Sequence, residues 1–151
     1  MERKKKLAPV YDLLGKKLEK LNLACEMMMF DFGDLKLHTQ GLTRIVKDGD
    51  ILTTTLDYQN WDGADDTQND EWYFVERFRD AIVGGMVTSV TVCDTNDLRI
   101  ELDNGIRIEV LVSNGYSHYE PMCEQWRFFK HRDKTYPHIT VYNKEIDVYS
   151  E

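Results

Sequence analysis

The chain has few cysteines and lacks any long apolar segment. Cys25, Cys93 and Cys123 are its only three cysteines, and they stand far apart with no C-x-x-C pair. An odd number at wide spacing argues against a secreted disulfide framework, so we expect reduced and mostly buried thiols. No run approaches the roughly 18 apolar residues of a membrane span, and no apolar signal core follows the basic start. We therefore expect a cytoplasmic protein without a membrane partner.

The sequence also lacks the motifs of several enzyme classes. Neither G-x-x-x-x-G-K-[ST] nor G-x-G-x-x-G occurs, so nucleotide binding has no support. Ser113 and Ser117 do not stand in the G-x-S-x-G pattern of serine hydrolases. A zinc site would have to gather His118, Glu120, Cys123, His131 and His138, with three or four ligands converging at about 2 Å. A nucleophilic Cys123 would need a neighbouring base such as His118 or His131. We predict no catalytic residue, no cofactor and no metal.

Charge is abundant but mostly of one sign. The net charge is -8, which makes nucleic acid a poor partner because phosphate binding depends on lysine and arginine. Residues 57–71 contain six acidic side chains and no basic one. Their polar, glycine-containing composition predicts an exposed loop that attracts a protein with a basic surface. The predicted partner-binding residues are Tyr58, Trp61, Asp62, Asp65, Asp66, Asp70 and Glu71.

Hydrophobic periodicity predicts an α+β fold, mainly antiparallel sheet, in a single domain over 1–151. One helix is expected at the N-terminus over 3–14, with Pro9 as a possible start, and a central helix over 71–83. The hairpin around Asp103-Asn104-Gly105 has the strongest alternation of apolar and polar residues. Strand patterns occupy 24–32, 50–58, 86–92, 98–102, 106–110, 124–130, 138–142 and 146–149.

The two halves of the sequence share an order of elements that suggests an internal repeat over 7–58 and 72–148. Leu14-Gly15 matches Val83-Gly84, and an arginine between apolar residues recurs as Arg44 and Arg127. An ordinary α+β meander could produce the same order by chance. A true repeat predicts two similar helix-plus-meander units about a pseudo-twofold axis. A cleft at their seam would be lined by Arg44, Trp126 and Arg127.

The run over 124–129 reads Glu-Gln-Trp-Arg-Phe-Phe and is the most distinctive of the sequence. Tryptophan and arginine dominate binding hot spots, and aromatic residues also pack strands into a core. The structural use is the simpler one. In that case Arg127 is a buried, paired arginine, with Asp97 or Glu124 as its partner.

Several short motifs together resemble a known group of proteins. In chain order they are Gly33-Asp34-Leu35, Leu37-His38, Arg44, the hairpin over 97–105 and the run over 124–129. This order, over roughly residues 12–130, resembles a widespread family of small bacterial proteins whose function is not established. Thr43 departs from the family pattern, which has tryptophan before the first arginine. In size and acidity the members are similar to immunity proteins that neutralise bacterial toxins, which is an analogy and not a motif match.

Three functions follow from these observations. The first is a non-enzymatic binding protein, such as an immunity or antitoxin-like inhibitor of a basic partner protein. The second is a small-molecule binding module with its ligand in the cleft between the two units. The third is an unrecognised hydrolase that uses Cys123, His118 or the aspartates of 57–71.

Overall fold

The computed structural model of the chain describes residues 2–59, 73–115 and 123–150. In these ranges the chain forms three helices, α1 (Arg3–Leu7), α2 (Thr55–Gln59) and α3 (Tyr73–Ile82), and a 3-10 helix follows α1 over Ala8–Leu13. None of these helices is long and apolar enough to cross a bilayer. The strands described are β1 (Lys20–Ala24), β2 (Met27–Phe32), β3 (Leu35–Thr39), β4 (Leu42–Lys47), β5 (Asp50–Thr54), β6 (Val87–Val92), β7 (Leu98–Leu102), β8 (Ile106–Leu111), β9 (Trp126–Lys130), β10 (His138–Val141) and β11 (Ile146–Tyr149).

These strands form two antiparallel sheets, which confirms a mainly antiparallel fold. The six-stranded sheet has the order β1-β2-β3-β9-β10-β11, and the five-stranded sheet has the order β5-β4-β8-β7-β6. The six-stranded sheet therefore takes strands from both ends of the chain, and the five-stranded sheet takes its strands from the middle. The β7–β8 hairpin confirms the strongest strand prediction, because Leu98, Ile100, Ile106 and Ile108 are all buried.

The chain passes from one sheet to the other between β3 and β4. The backbone N–H groups of Gln40 and Gly41 both donate to the Gln125 carbonyl, at 2.9 and 2.8 Å. Glycine suits position 41, because an added Cβ would lie 2.7 Å from the Gln125 side-chain oxygen and 3.1 Å from the Leu111 carbonyl oxygen. This close approach lets consecutive strands leave one sheet and enter the other within two residues.

Both sheets contribute to a single hydrophobic core. The largest fully buried side chains include Phe30, Phe32, Trp126 and Phe128, and they form one cluster with inward residues of the five-stranded sheet such as Ile108. Because side chains alternate along a strand, the residues between these positions project from the outer faces of the sheets. Burial of one face of each sheet in the core thus determines which side chains remain on the outer face.

The N-terminal helix differs from the predicted one. The α-helix ends at Leu7, and Ala8–Leu13 winds as a 3-10 helix, since the Pro9 ring obstructs a continuing α-helix and cannot donate a backbone hydrogen bond. The tighter winding places residues three apart on one face. Leu7, Val10 and Leu13 are buried as a result, whereas Tyr11, which the α-helical pattern placed inside, is exposed.

The strand predicted over 50–58 is also too long. β5 ends at Thr54, and α2 follows at once. The Thr54 side chain accepts a hydrogen bond from the Leu56 N–H, and the Asp57 carboxylate accepts one from the Thr54 N–H at 2.7 Å. This reciprocal arrangement is a capping box, and it starts a helix in a segment whose threonines favour a strand.

The three cysteines correct a third expectation, that of buried thiols. Cys25, Cys93 and Cys123 are free, as expected, but all three are exposed. Cys25 has a positive φ of 51° in the turn between β1 and β2, and Cys93 and Cys123 lie just outside strands. Turns and strand ends lie at the surface, so small apolar character alone did not bury these side chains.

Candidate functional site

The outer face of the six-stranded sheet carries a row of four ring side chains. Phe129 and His138 are stacked with centroids 5.0 Å apart and planes 7° apart. His138 and Tyr149 are stacked at 4.6 Å and 14°. His38 meets the edge of Phe129 at 5.1 Å. We call these four residues the aromatic row; it extends over β3, β9, β10 and β11.

Strand register produces the row. Trp126 and Phe128 of β9 point into the core, so Arg127 and Phe129 point outward. Ile139 of β10 lies opposite Phe128, which sets the preceding residue, His138, beside Phe129. His138 lies directly opposite Tyr149 of β11. Each ring thus comes from a different strand, and the row exists only in this strand order.

Two cavities open on either side of Phe129. The first has a volume of about 320 Å³, and its aromatic lining is Phe129, Tyr136, His138 and Tyr149. The second has a volume of about 200 Å³, and its lining includes Met29, His38, Phe129 and His131. Phe129 therefore lines both cavities, and the surface beside the aromatic row is concave rather than flat.

Ion pairs border the aromatic row. The Arg127 guanidinium donates to Glu124 Oε1 from Nε at 3.1 Å and from Nη2 at 2.5 Å. The prediction of a paired arginine is confirmed with Glu124 as partner. Asp97, the other expected partner, instead accepts a hydrogen bond from the Val112 N–H at 2.7 Å. The Arg127 side chain keeps 37% of its surface exposed, so it is half-buried and not fully buried.

The two histidines of the row are uncharged near neutral pH. Burial lowers the pKa of His138, and the Arg127 cation lowers it further. The same two causes lower the pKa of His38. The Nε2 atom of His138 is buried without a hydrogen-bond partner in the described structure. An uncharged imidazole suits that position, because a cation there would lose hydration without gaining an acceptor.

The three residues of the predicted cleft do not come together. Trp126 is fully buried, and its indole N–H donates to the Asn96 carbonyl at 2.9 Å. Trp126 is a core residue, and it lines no open cleft. Arg127 points outward from the same strand, while Arg44 belongs to β4 of the other sheet.

Arg44 takes part in an ion network on the outer face of the five-stranded sheet. It donates to Oε1 of Glu109 from Nε at 3.0 Å and from Nη2 at 2.6 Å. Arg99 and Arg107 lie 3.5 and 3.2 Å from the other carboxylate oxygen. Glu109 is 5% exposed, and a carboxylate so buried requires compensating cations. The network therefore accounts for Arg44 by structure alone.

The predicted partner-binding residues fall mostly outside the described residues. The segment 60–72 contains six of them, namely Trp61, Asp62, Asp65, Asp66, Asp70 and Glu71. His118 lies in the segment 116–122, which is also outside the described residues. Tyr58 belongs to α2, but its side chain is not described. Among the residues that are described, no three His, Cys, Asp or Glu side chains are grouped so that they could hold a metal ion.

Sequence reasoning missed the aromatic row. It assigned Phe129 to the distinctive run and His38 to a family motif. It considered His138 only as a metal ligand and gave no role to Tyr149. The alternation around β10 and β11 indicates that both rings project from the sheet. Their contact with Phe129 depends on strands from distant parts of the chain, which local patterns do not specify.

The lowered pKa of His138 predicts how acid affects the fold. The unfolded chain binds a proton at a higher pH than the folded chain does, so the free energy of unfolding falls as the pH drops below about 6.5. Replacing His138 with Phe keeps a stacking ring and removes the titration. Urea unfolding at pH 7.5 and 5.0 should show a smaller loss of stability for His138→Phe than for the wild type. His131→Gln, at an exposed histidine, is the control; an equal loss in the wild type and His138→Phe would contradict the assignment.

Comparison of the chain with protein-family models, with curated proteins and with solved structures finds no match in any of the three. The resemblance suggested by the short sequence motifs therefore gains no support and meets no contradiction. The function has to be argued from the aromatic row, its two cavities and the charges around them.

Proposed function

We propose that this chain is a non-enzymatic binding protein that holds a partner protein on the outer face of its six-stranded sheet. The observation that carries the proposal is the aromatic row, whose terminal ring, Tyr149, has 56% of its surface exposed. Exposed tyrosine and phenylalanine supply large contact areas at little entropic cost and are enriched at protein interfaces. The cavities beside Phe129 offer the pockets into which a partner's own side chains can fit.

The charge of the chain supports a basic partner. A net charge of -8 attracts a positively charged protein over several ångströms and raises the association rate. In this proposal the acidic segment over 57–71 guides the partner toward the molecule, and the aromatic row provides short-range contacts. An immunity or antitoxin-like inhibitor of a basic toxin is the specific form that the size and acidity of the chain favour.

We also propose that the chain consists of two similar units related by a pseudo-twofold axis. Four backbone hydrogen bonds near Gly15 and Gly84 support this. Gly15 N–H donates to Val87 O at 2.9 Å, and Gly84 N–H donates to Leu18 O at 2.8 Å. Residues 84 and 15 differ by 69, and so do 87 and 18; the two bonds therefore exchange under one shift of numbering. The bonds from Leu18 to Gly85 and from Val87 to Lys16, at 2.9 and 2.8 Å, exchange in the same way.

The pairing of strands within each of the two sheets supports the same proposal. Leu37 of β3 lies opposite Phe128 of β9, and Ile45 of β4 lies opposite Ile108 of β8. In the proposed repeat Leu37 corresponds to Ile108 and Arg44 to Arg127, and hence Ile45 to Phe128. The two pairs are then equivalent, with the partners exchanged between the units.

The two units differ where the aromatic row lies. Under the repeat alignment Phe129 corresponds to Val46, and their neighbours on the next strand are His138 and Ile51. Rings of the aromatic row thus correspond to aliphatic side chains of the five-stranded sheet, of which Val46 is buried and Ile51 is exposed. Equivalent positions that serve only to stabilise a sheet need not diverge in this way, so the difference supports a binding role for the six-stranded face.

Capture of partner proteins by immobilised variants tests the binding face. Tyr149→Ala should reduce the amount captured from the native cell extract at least tenfold, the effect expected when an interface hot spot is lost. The matched control is Ile51→Ala on the edge strand of the other sheet, where the replaced side chain is 54% exposed and capture should not change.

Two outcomes of this capture would contradict the proposal. Equal capture by the wild type and Tyr149→Ala would exclude the aromatic row as the interface. Loss of capture with Ile51→Ala alone would place the interface on the five-stranded sheet. A third bait, with Asp62, Asp65 and Asp66 changed to Lys, tests the acidic segment: its association rate should fall at low salt and match the wild type at high salt.

The proposed equivalence of the two units predicts equal effects at Gly15 and Gly84. Their φ angles are +80° and +101°, and an added Cβ would meet nothing within 4 Å at either site. Each change to Ala should therefore cost about 1 kcal/mol from the left-handed backbone alone. Gly115→Ala is the control, because that site is open and its φ is not left-handed. Urea unfolding that gave clearly different costs at Gly15 and Gly84 would count against equivalence.

A further inference from the structure

The lining of the first cavity combines aromatic rings with positively charged side chains. Its rings are Phe129, Tyr136, His138 and Tyr149, and the charged residues of its lining are Lys130, Arg132, Asp133 and Lys134. Three of these four charges are positive in a chain whose net charge is -8. The cavity therefore differs in charge from the molecule as a whole.

Two of the four charges are already engaged with each other. Lys130 Nζ lies 3.8 Å from Asp133 and 3.6 Å from Asp34, and it also lies over the Tyr136 ring at 5.5 Å. The Asp133 carboxylate accepts hydrogen bonds from the Thr135 N–H and hydroxyl, at 3.0 and 2.6 Å. Lys130 and Asp133 are thus paired within the lining, and the exposed Arg132 adds a positive charge to it.

Arg132 occupies a backbone conformation that its side chain does not favour. Its φ is +56°, in the turn that leads from β9 toward β10. A residue with a Cβ is strained in the left-handed region, and glycine there would be more stable. The arginine at this position keeps a guanidinium in the cavity lining at some cost to the stability of the turn.

Tyr136, which lines the cavity together with Arg132, stays uncharged. The Tyr136 hydroxyl donates to Asp12 at 2.6 Å, and burial together with that contact raises the pKa of Tyr136. The phenol therefore remains neutral. The Lys130 ammonium covers one face of its ring. A planar ring entering the cavity meets aromatic rings and a guanidinium in the same lining.

We infer that the first cavity binds an aromatic ring that carries a carboxylate or phosphate group. The ring packs against Phe129 and Tyr136, and the anion pairs with Arg132, whose planar guanidinium matches such oxyanions. A volume of about 320 Å³ is at the lower end of ligand sites, which suits one ring with one charged group. The inference rests on the proposed function, because it names the chemistry that this binding face selects.

Titration of the full chain with phenyl phosphate tests the inference. Isothermal titration calorimetry at pH 7.5 should show phenyl phosphate binding at least tenfold more tightly than inorganic phosphate or phenol. Arg132→Gly should weaken phenyl phosphate binding at least tenfold while the thermal unfolding temperature stays equal or rises, since the substitution relieves the left-handed strain. Glu26→Gly is the control, at another exposed left-handed position, and should keep the wild-type affinity.

Equal affinity for phenyl phosphate and inorganic phosphate would overturn the inference, and so would wild-type affinity in Arg132→Gly. Saturating phenyl phosphate in the capture assay then distinguishes two sources of the group. Lost capture indicates a group on the partner protein, and retained capture indicates a free small molecule. If phenyl phosphate fails to bind while capture still depends on Tyr149, this inference fails and the proposed function stands. If phenyl phosphate binds while capture is independent of Tyr149, the proposed function fails and the cavity remains a ligand site.

Discussion

The pairing of β9 with β3 is the constraint on which the rest of the molecule depends. It joins the end of the chain to its beginning within one sheet, and its register places Trp126 opposite Thr39 and Phe128 opposite Leu37. A slip of one residue would turn Trp126 and Phe128 outward and bring Arg127 and Phe129 into the core. The buried tryptophan and phenylalanine make that slip costly. The same hydrophobic burial that fixes the core therefore also fixes which rings form the aromatic row.

The outer faces of the two sheets use their central strands differently. On the five-stranded sheet, Glu109 of β8 forms ion pairs with three arginines. The charged groups of this face are therefore directed at one another. On the six-stranded sheet, Arg127 of β9 pairs with Glu124 at the end of the strand, and uncharged rings occupy the centre. A face whose charges pair with one another leaves few of them for a partner, whereas a face with exposed rings and cavities offers apolar contacts.

Local sequence patterns predicted the elements better than their assembly. The alternation over 98–110 specified the β7–β8 hairpin, because a two-residue period with a glycine turn leaves one buried face. The pattern over 50–58 failed because Thr54 and Asp57 form a capping box that outweighs the strand preference of threonine. The candidate cleft failed for a different reason: a tryptophan beside an arginine can face the core or a ligand, and only the non-local pairing of β9 decides between them. For the same reason no local signal joins His38, Phe129, His138 and Tyr149.

Nuclear magnetic resonance of the isotope-labelled chain bound to the captured partner tests the central claim most directly. The account predicts that backbone amide shifts change along the outer-facing positions of β9, β10 and β11, around Phe129, His138 and Tyr149. It also predicts that Arg44, Arg99 and the rest of the five-stranded sheet keep their free-state shifts. Changes confined to the five-stranded sheet, with the aromatic row unaffected at saturation, would contradict it.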